Sequence, residues 1–341
     1  MKFFFDERQL AHAPEHYFRW GSPVPHPEQP ERAVLLRDAL LAAGHVLEKP
    51  GDFGQGPIKA VHDPEFVDFF KDARARWDEA VGPDAPAVPN YHTARTSAWR
   101  PTGVVGQLGY YSTGTSCPVT HGTWEAIYWS AQSALAAADL VMKGERIAYG
   151  LSRPPGHHAY RDATDGFCFF NNAAIAAQHI RQRFERVTVL DIDTHAGNGT
   201  LSIFFNRGDV QVISMHVDPS DYPPYFNGYT HEIGEGPGEG ASLNVTLTPG
   251  AEEALVLRSF GTCIDALKDF APEAVVVSLG FDLSEDDPLS VVKFSSQGFV
   301  EMAGAIMDLG LPTVLIQEGG YLGPSLSKNA VAFLETCDGA L

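Results

Sequence analysis

From residue 146 onward, apolar segments of strand length alternate with segments of helical period. The strand candidates are RIAYGLS (146–152), RVTVLDID (186–193), VQVISMHVD (210–218), AVVVSLGFD (274–282) and TVLIQEGGY (313–321). Helical segments fall near 31–44, 123–142, 173–184, 252–269 and 297–309. Strands apolar on both faces, interleaved with helices, predict a parallel sheet covered on both sides. The fold class is therefore α/β. Residues 1–80 have the same mixed character, and the Pro-rich SPVPHPEQPERA (22–33) leads into the first helix. Thr123 stands where its hydroxyl can cap the helix that follows.

Residues 82–122 break the pattern. They are rich in Gly, Pro, Ser and Thr and keep no period. Connections this long are uncommon in compact domains and are often functional. The segment reads as an ordered excursion near a site or an interface, with a partly disordered surface loop as the alternative.

Composition narrows the classes. A length of 341 residues permits two domains, but no linker-like stretch divides the chain, so one domain over 1–341 is expected. The formal charge of −19 repels phosphate backbones and anionic lipid headgroups, so neither nucleic acid nor a membrane is expected as a partner. It is compatible with a cationic substrate, or simply with solubility. The four cysteines, Cys117, Cys168, Cys263 and Cys337, include no CxxC pair. That spacing argues against a thiolate zinc site and suits a reducing compartment. The apolar run in MKFFFDERQ is three residues, short of a signal-peptide core. No stretch approaches the ~20 apolar residues of a membrane span. The expected location is the cytoplasm.

The strand ends carry the chemistry. GLSRPPGHH, VLDIDTH, SLGFD and QEGGY all close apolar runs, and ligands bind at the carboxyl ends of strands in open parallel sheets. Asp193 and His195, at i and i+2, share a face and can point at one ion. With Asp282 they form a three-ligand set that leaves positions open for water and substrate, as in catalytic zinc sites. Pro154, Pro155 and Gly156 predict an irregular turn that presents His157 and His158 side by side, fit for proton transfer near neutral pH. Gly319 and Gly320 allow a close approach that points the Tyr321 phenol into the cleft, where it can donate to an oxyanion.

RPPGHHAY, DGFCFFNNAAIAA, LDIDTHAGNGT, SLGFDLSEDDP and EGGY resemble the signature segments of histone-deacetylase-like enzymes. PTGVVGQLGYYS and GTWEAIYWSAQSALAAADLV resemble one branch, the bacterial acetylpolyamine amidohydrolases. With HPEQPERA and VHDPEFVDFF the likeness covers most of the chain. The resemblance implies an arginase–deacetylase-like fold with one Zn²⁺ per chain on Asp193, His195 and Asp282. His158 would be general base and then general acid, and His157 its electrostatic partner. Asp191 would orient His157, Asn198 would contact His158, and Tyr321 would be the oxyanion donor. Phe167 and Tyr222 would wall a narrow tunnel. Asp191, Ser214 and backbone carbonyls would hold a monovalent cation such as K⁺. The implied substrate is a small acylated amine, and the 82–122 segment resembles one that forms homodimers and narrows the tunnel mouth.

Three positions depart from the pattern. Ala196 stands where the family places a second histidine, so outer-shell support from there is lost. Val105 and Ser116 stand where the acetylpolyamine branch carries acids. Gly197 stands where arginase-like enzymes place an aspartate for a second metal. Glu285, Asp286 and Asp287 are carboxylates available from another direction, or a solvated turn. The readings are therefore a small-amine deacetylase, a protein lysine deacetylase, an amidase of another small amide, a non-catalytic metal-binding module and a two-metal ureohydrolase.

Overall fold

Eight strands drawn from the whole length of the chain meet in one sheet. The computed structural model describes residues 1–93 and 99–339. Its strands are β1 (Lys2–Phe4), β2 (His16–Arg19), β3 (Ser22–Pro25), β4 (Val46–Glu48), β5 (Ile147–Gly150), β6 (Val187–Asp191), β7 (Val210–Val217), β8 (Ser242–Leu247), β9 (Ala274–Leu279) and β10 (Thr313–Gln317). The sheet order is β4-β1-β5-β10-β9-β6-β7-β8, and its pairings are parallel. β2 and β3 form a separate antiparallel hairpin.

The helices are α1 (Pro30–Ala42), α2 (Gly56–Lys59), α3 (Pro64–Phe69), α4 (Ala73–Ala80), α5 (Val104–Tyr110), α6 (Thr123–Met142), α7 (Asn172–Ile180), α8 (Asn198–Phe204), α9 (Glu253–Phe270), α10 (Ser296–Met307) and α11 (Leu326–Gly339). Alternation along each strand feeds two cores. Val187, Val189 and Val276 face α6 and α7, while Leu190, Val275 and Val277 face the side of α1, α9, α10 and α11. α6 is rich in buried alanine (Ala131, Ala134, Ala137, Ala138), and these small side chains let it lie close on the sheet. A Cβ at Gly150 would come 3.2 Å from the Ala134 Cα.

The five strands and five helices expected from the pattern form. β8 escapes it because it is an edge strand with half its positions only partly buried, so its residues do not read as an apolar run. Thr123 begins α6, but Gly122 occupies the cap position and no side chain caps the helix. The Thr123 hydroxyl instead accepts from the Thr120 N–H (2.7 Å) and meets His12 Nδ1 (3.0 Å).

The described part of 82–122 is not devoid of regular structure. It contains α5 and a bridge between Ala87 and Val119, and it buries Val104, Leu108, Tyr111 and Cys117 in the main core. Gly106 and Gly109 hid the helix, because glycine weakens helical propensity. Gly109 is there for contact: a Cβ would collide with the Tyr91 carbonyl oxygen.

Candidate active site and metal centre

The four neighbouring strands β5, β10, β9 and β6 end in the PPGHH turn, the Glu318–Tyr321 loop, Asp282 and the Asp191–His195 segment, respectively. Parallel pairing aligns these ends: Asp191 is in register with Ser278, and Ser278 with Ile316. Residues far apart in sequence thus share one floor.

Donor atoms of Asp193, His195 and Asp282 all lie within 4.8 Å of one another. His195 Nδ1 is 3.1 Å from both Asp193 Oδ1 and Asp282 Oδ2. Both carboxylates are fully buried, and burial together with Asp193 pushes Asp282 up to about 7. Two buried carboxylates and an imidazole are a donor set that fits a divalent cation of zinc's mixed N/O preference. The glycines around them are required by space. A Cβ at Gly319 would lie 2.4 Å from oxygens of both Asp193 and Asp282, and one at Gly280 2.3 Å from Asp193.

A second group, His157, Cys168 and Glu318, is equally close, and Glu318 Oε1 has no hydrogen-bond partner among the described residues, but the group is a poorer cation site. Burial raises the Cys168 thiol well above its ordinary range, so it stays protonated, and Glu318 Oε2 accepts two backbone N–H groups. Gly197 sits against Asp191, where a Cβ would come 2.2 Å from the carboxylate. A side chain that could hold a second metal has no room there.

Two side chains hold the histidine pair. His157 Nδ1–H donates to Asp191 Oδ2 (2.9 Å), and His158 Nδ1–H donates to Asn198 Oδ1 (2.6 Å). The Asn198 amide is itself oriented, because its Nδ2 donates to the Tyr160 hydroxyl and to Asp165. Burial opposes charge on both rings. At His157 the Asp193 and Asp191 carboxylates outweigh it and raise the pKa well above 6.5. At His158 burial and the neighbouring His157 charge lower it well below 6.5. The rings are 4.1 Å apart, and opposite shifts in adjacent groups are the usual arrangement of an acid–base pair.

Tyr321 is buried, its phenol raised by burial, and its N–H donates to Asp287 Oδ2 (2.6 Å). Phe167 stands edge-on to Tyr321 at 6.0 Å. It holds φ of +70° beside Gly166, where a Cβ would strike the His158 ring. Tyr222 stacks on His195 (4.8 Å, 23°) and donates its hydroxyl to the Leu289 carbonyl (2.5 Å). Asp191 and Ser214 are paired on β6 and β7, both fully buried, and Ser214 Oγ also meets the Gly197 N–H and His216 Nδ1.

Three findings go beyond or against the motifs. Asp287 is not part of a solvated turn. It is buried and accepts from Tyr321 and Leu289, so only Glu285 and Asp286 remain exposed. Ala196 has a tight environment: a Cβ on Gly228 would come 2.6 Å from its own Cβ, so the 219–228 loop fills the space a larger residue would need. Sequence reasoning also passed over His62 and Glu318. Asn171 N–H donates to His62 Nε2 (2.8 Å), and the Asn171 side chain reaches the Ala159 carbonyl behind the histidine pair (3.1 Å). Glu318 was visible in QEGGY as a carboxylate at a strand end.

The histone deacetylase domain model matches residues 26–337. A solved acetylpolyamine aminohydrolase from Burkholderia pseudomallei superposes with a TM-score of 0.96 at 42% identity, over 100% of this chain and 99% of that one. The curated acetylpolyamine amidohydrolase of that organism is 44% identical over 97% of this chain and 96% of its own length. Acetylpolyamine amidohydrolase 1 of Pseudomonas aeruginosa is 43% identical over 94% of each. Fold and site define an amide-cleaving hydrolase, and the chain belongs to the histone deacetylase domain family. Within that family it falls with the acetylpolyamine amidohydrolase branch.

Proposed function

We propose that this chain is a zinc-dependent amidohydrolase that removes acetyl groups from small N-acyl amines, acetylated polyamines among them. The observation that carries the reading is the convergence of the Asp193–His195–Asp282 donor set, the histidine pair and the tyrosine loop on the ends of four adjacent strands.

Asp193, His195 and Asp282 would hold one Zn²⁺, which when bound polarises an acyl carbonyl and lowers the pKa of a water. His158, its Nδ1–H committed to Asn198, presents Nε2 to take the proton of the attacking water and pass it to the leaving amine. His157, hydrogen-bonded to Asp191, stabilises the negative charge that develops beside it. The Tyr321 phenol keeps its proton and donates to the oxyanion. The products are acetate and the free amine. Phe167 and Tyr222 serve as aromatic walls that admit a thin acyl chain. Asp191, Ser214 and neighbouring carbonyls serve as the seat of a structural K⁺.

Acetate release by metal-loaded protein from acetylated putrescine or spermidine, neutral N-acetyl amines of similar length and acetyl-lysine peptides tests the reading. Small amines should be hydrolysed, with a polyamine preference below about 10³-fold in kcat/KM, or ~4 kcal/mol. Faster turnover of the peptides would replace the reading with protein deacetylation.

The 82–122 segment meets a second copy near the tunnel mouth in this reading. Tyr91, Trp99 and Val105, all exposed along it, support the assignment. Light scattering at micromolar concentration should give a homodimer, and a fully active monomer would remove that role. A cytoplasmic location accords with four buried, free cysteines and with the absence, among the described residues, of any helix long and apolar enough to cross a membrane.

A further inference from the structure

Two moving parts of the proposed reaction, the histidine turn and the tyrosine loop, come from different strands, and one side chain joins them. Glu318 lies at the end of β10 and is fully buried. Its Oε2 accepts from the N–H of Gly156 (2.6 Å) and of His157 (3.0 Å). Pro154 and Pro155 have no N–H, so these are the first donors of the turn, and buried backbone donors need partners. Both end on this one carboxyl oxygen.

The backbone of Glu318 is held just as firmly. Its N–H donates to the Leu279 carbonyl (2.9 Å), and its carbonyl accepts from Arg32 Nη2 (2.8 Å) and Gln317 Nε2 (3.1 Å). Arg32 Nε reaches on to the Gly320 carbonyl (2.5 Å), and its guanidinium lies 4.8 Å over the Tyr321 ring. Between them, the Gly319 N–H donates to Asp193 Oδ2 (2.8 Å). Arg32 is itself anchored by Glu28 (2.9 Å), which also pairs with Arg153 (2.9 Å).

We propose that Glu318 is a positioning residue that locks the Gly156–His157 turn to the Gly319–Tyr321 loop, with Arg32 holding the far end of the same loop. It touches no reacting atom. Its effect is to keep the proton-transfer imidazoles and the oxyanion donor in one fixed relation, and small misplacements of such groups cost large factors in rate.

The inference rests on the amidohydrolase reading, and its test separates the two. In metal-loaded protein, Glu318→Ala should lower kcat about 100-fold while KM stays within about threefold, on the scale expected for misplaced groups, with metal content unchanged. Glu318→Gln retains an oxygen able to accept both N–H groups and should restore kcat to within about fivefold. Glu318→Asp, too short to reach both, should resemble the alanine variant and serves in its place should that variant fail to fold. Imidazole NMR signals of His157 and His158 should move in the alanine or aspartate variant and stay in the glutamine variant. Equal loss in the glutamine and alanine variants would overturn the proposal in favour of a role for the carboxyl charge. Unchanged kcat in the alanine or aspartate variant would overturn it altogether. A parent enzyme that releases no acetate would sink the reaction, while the imidazole shifts would still decide the positioning.

Discussion

The floor of the cleft and its mouth follow different rules. On the floor, each singled-out carboxylate and imidazole has a defined partner. Asp191 holds His157, Asn198 holds His158, and the Gly319 N–H holds Asp193. In the 82–122 segment, proposed above to lie near the tunnel mouth, Val105 is 45% exposed on α5, and Ser116 offers its carbonyl to His26 and its hydroxyl to a long contact with Cys117 Sγ. By the resemblance, both stand where the acetylpolyamine branch carries acids, whereas the implied floor residues match it apart from Ala196. The chemistry-bearing side chains thus sit in a buried, over-determined network, and under the proposed function choice of amine falls to side chains outside that network.

The comparison breaks if floor substitutions prove mild. Asp193→Ala, His195→Ala and Asp282→Ala should each abolish stoichiometric metal binding and lower kcat by at least about 10³-fold, the scale of several kcal/mol. Tyr321→Phe should keep its metal and lose about 10²–10³ in kcat, the cost of one oxyanion donor. Elemental analysis beside steady-state kinetics checks both. Two ions per chain, or a Tyr321→Phe enzyme of normal kcat, would undo the assignments.

Acid should loosen the floor through a residue outside the chemistry. His62 donates from Nδ1 to the Tyr160 carbonyl and accepts at Nε2 from Asn171. Protonating Nε2 destroys the acceptor. Burial lowers its pKa from 6.5 to about 4, so between those values the unfolded chain binds more protons than the folded one. Stability is then highest above about pH 6.5 and falls by up to ~3 kcal/mol from this group as pH drops to about 4. Urea unfolding across that range should show a flatter dependence in His62→Gln, and an equal slope would refute the account.

The smallest effect belongs to the mouth. Val105→Glu with Ser116→Glu should raise the preference for acetylated polyamine over a neutral acetyl amine by about tenfold at low salt, and less at high salt, because exposed charges are screened. Unchanged kcat/KM ratios would place amine selection elsewhere on the rim.

Much of this was legible in the sequence, for physical reasons. Strands buried on both faces announce themselves as apolar runs, and their chemistry-bearing ends, from His157 to Tyr321, can be read from the residues alone. What escaped has its own causes. β8 is a half-exposed edge, and α5 is built on Gly106 and Gly109, which oppose helix formation. Asp287 looks like a surface acid beside Glu285 and Asp286 but turns inward to Tyr321. Glu318 and His62 act through backbone N–H groups, and partners of that kind leave no side-chain pattern to read.

The strand order also governs how the protein comes into being. β5 and β6 are made early yet do not touch. The places between them belong to β9 and β10, which emerge more than 80 residues after β6. A nascent chain that stops short of residue 313 therefore has a sheet with a gap at its centre, and it carries Asp193, His195 and Asp282 but not Tyr321. Pairings this distant in sequence form slowly and leave strand edges exposed meanwhile. The nascent chain cannot begin to hydrolyse amides part-way through synthesis, because the last central strand completes both the sheet and the catalyst.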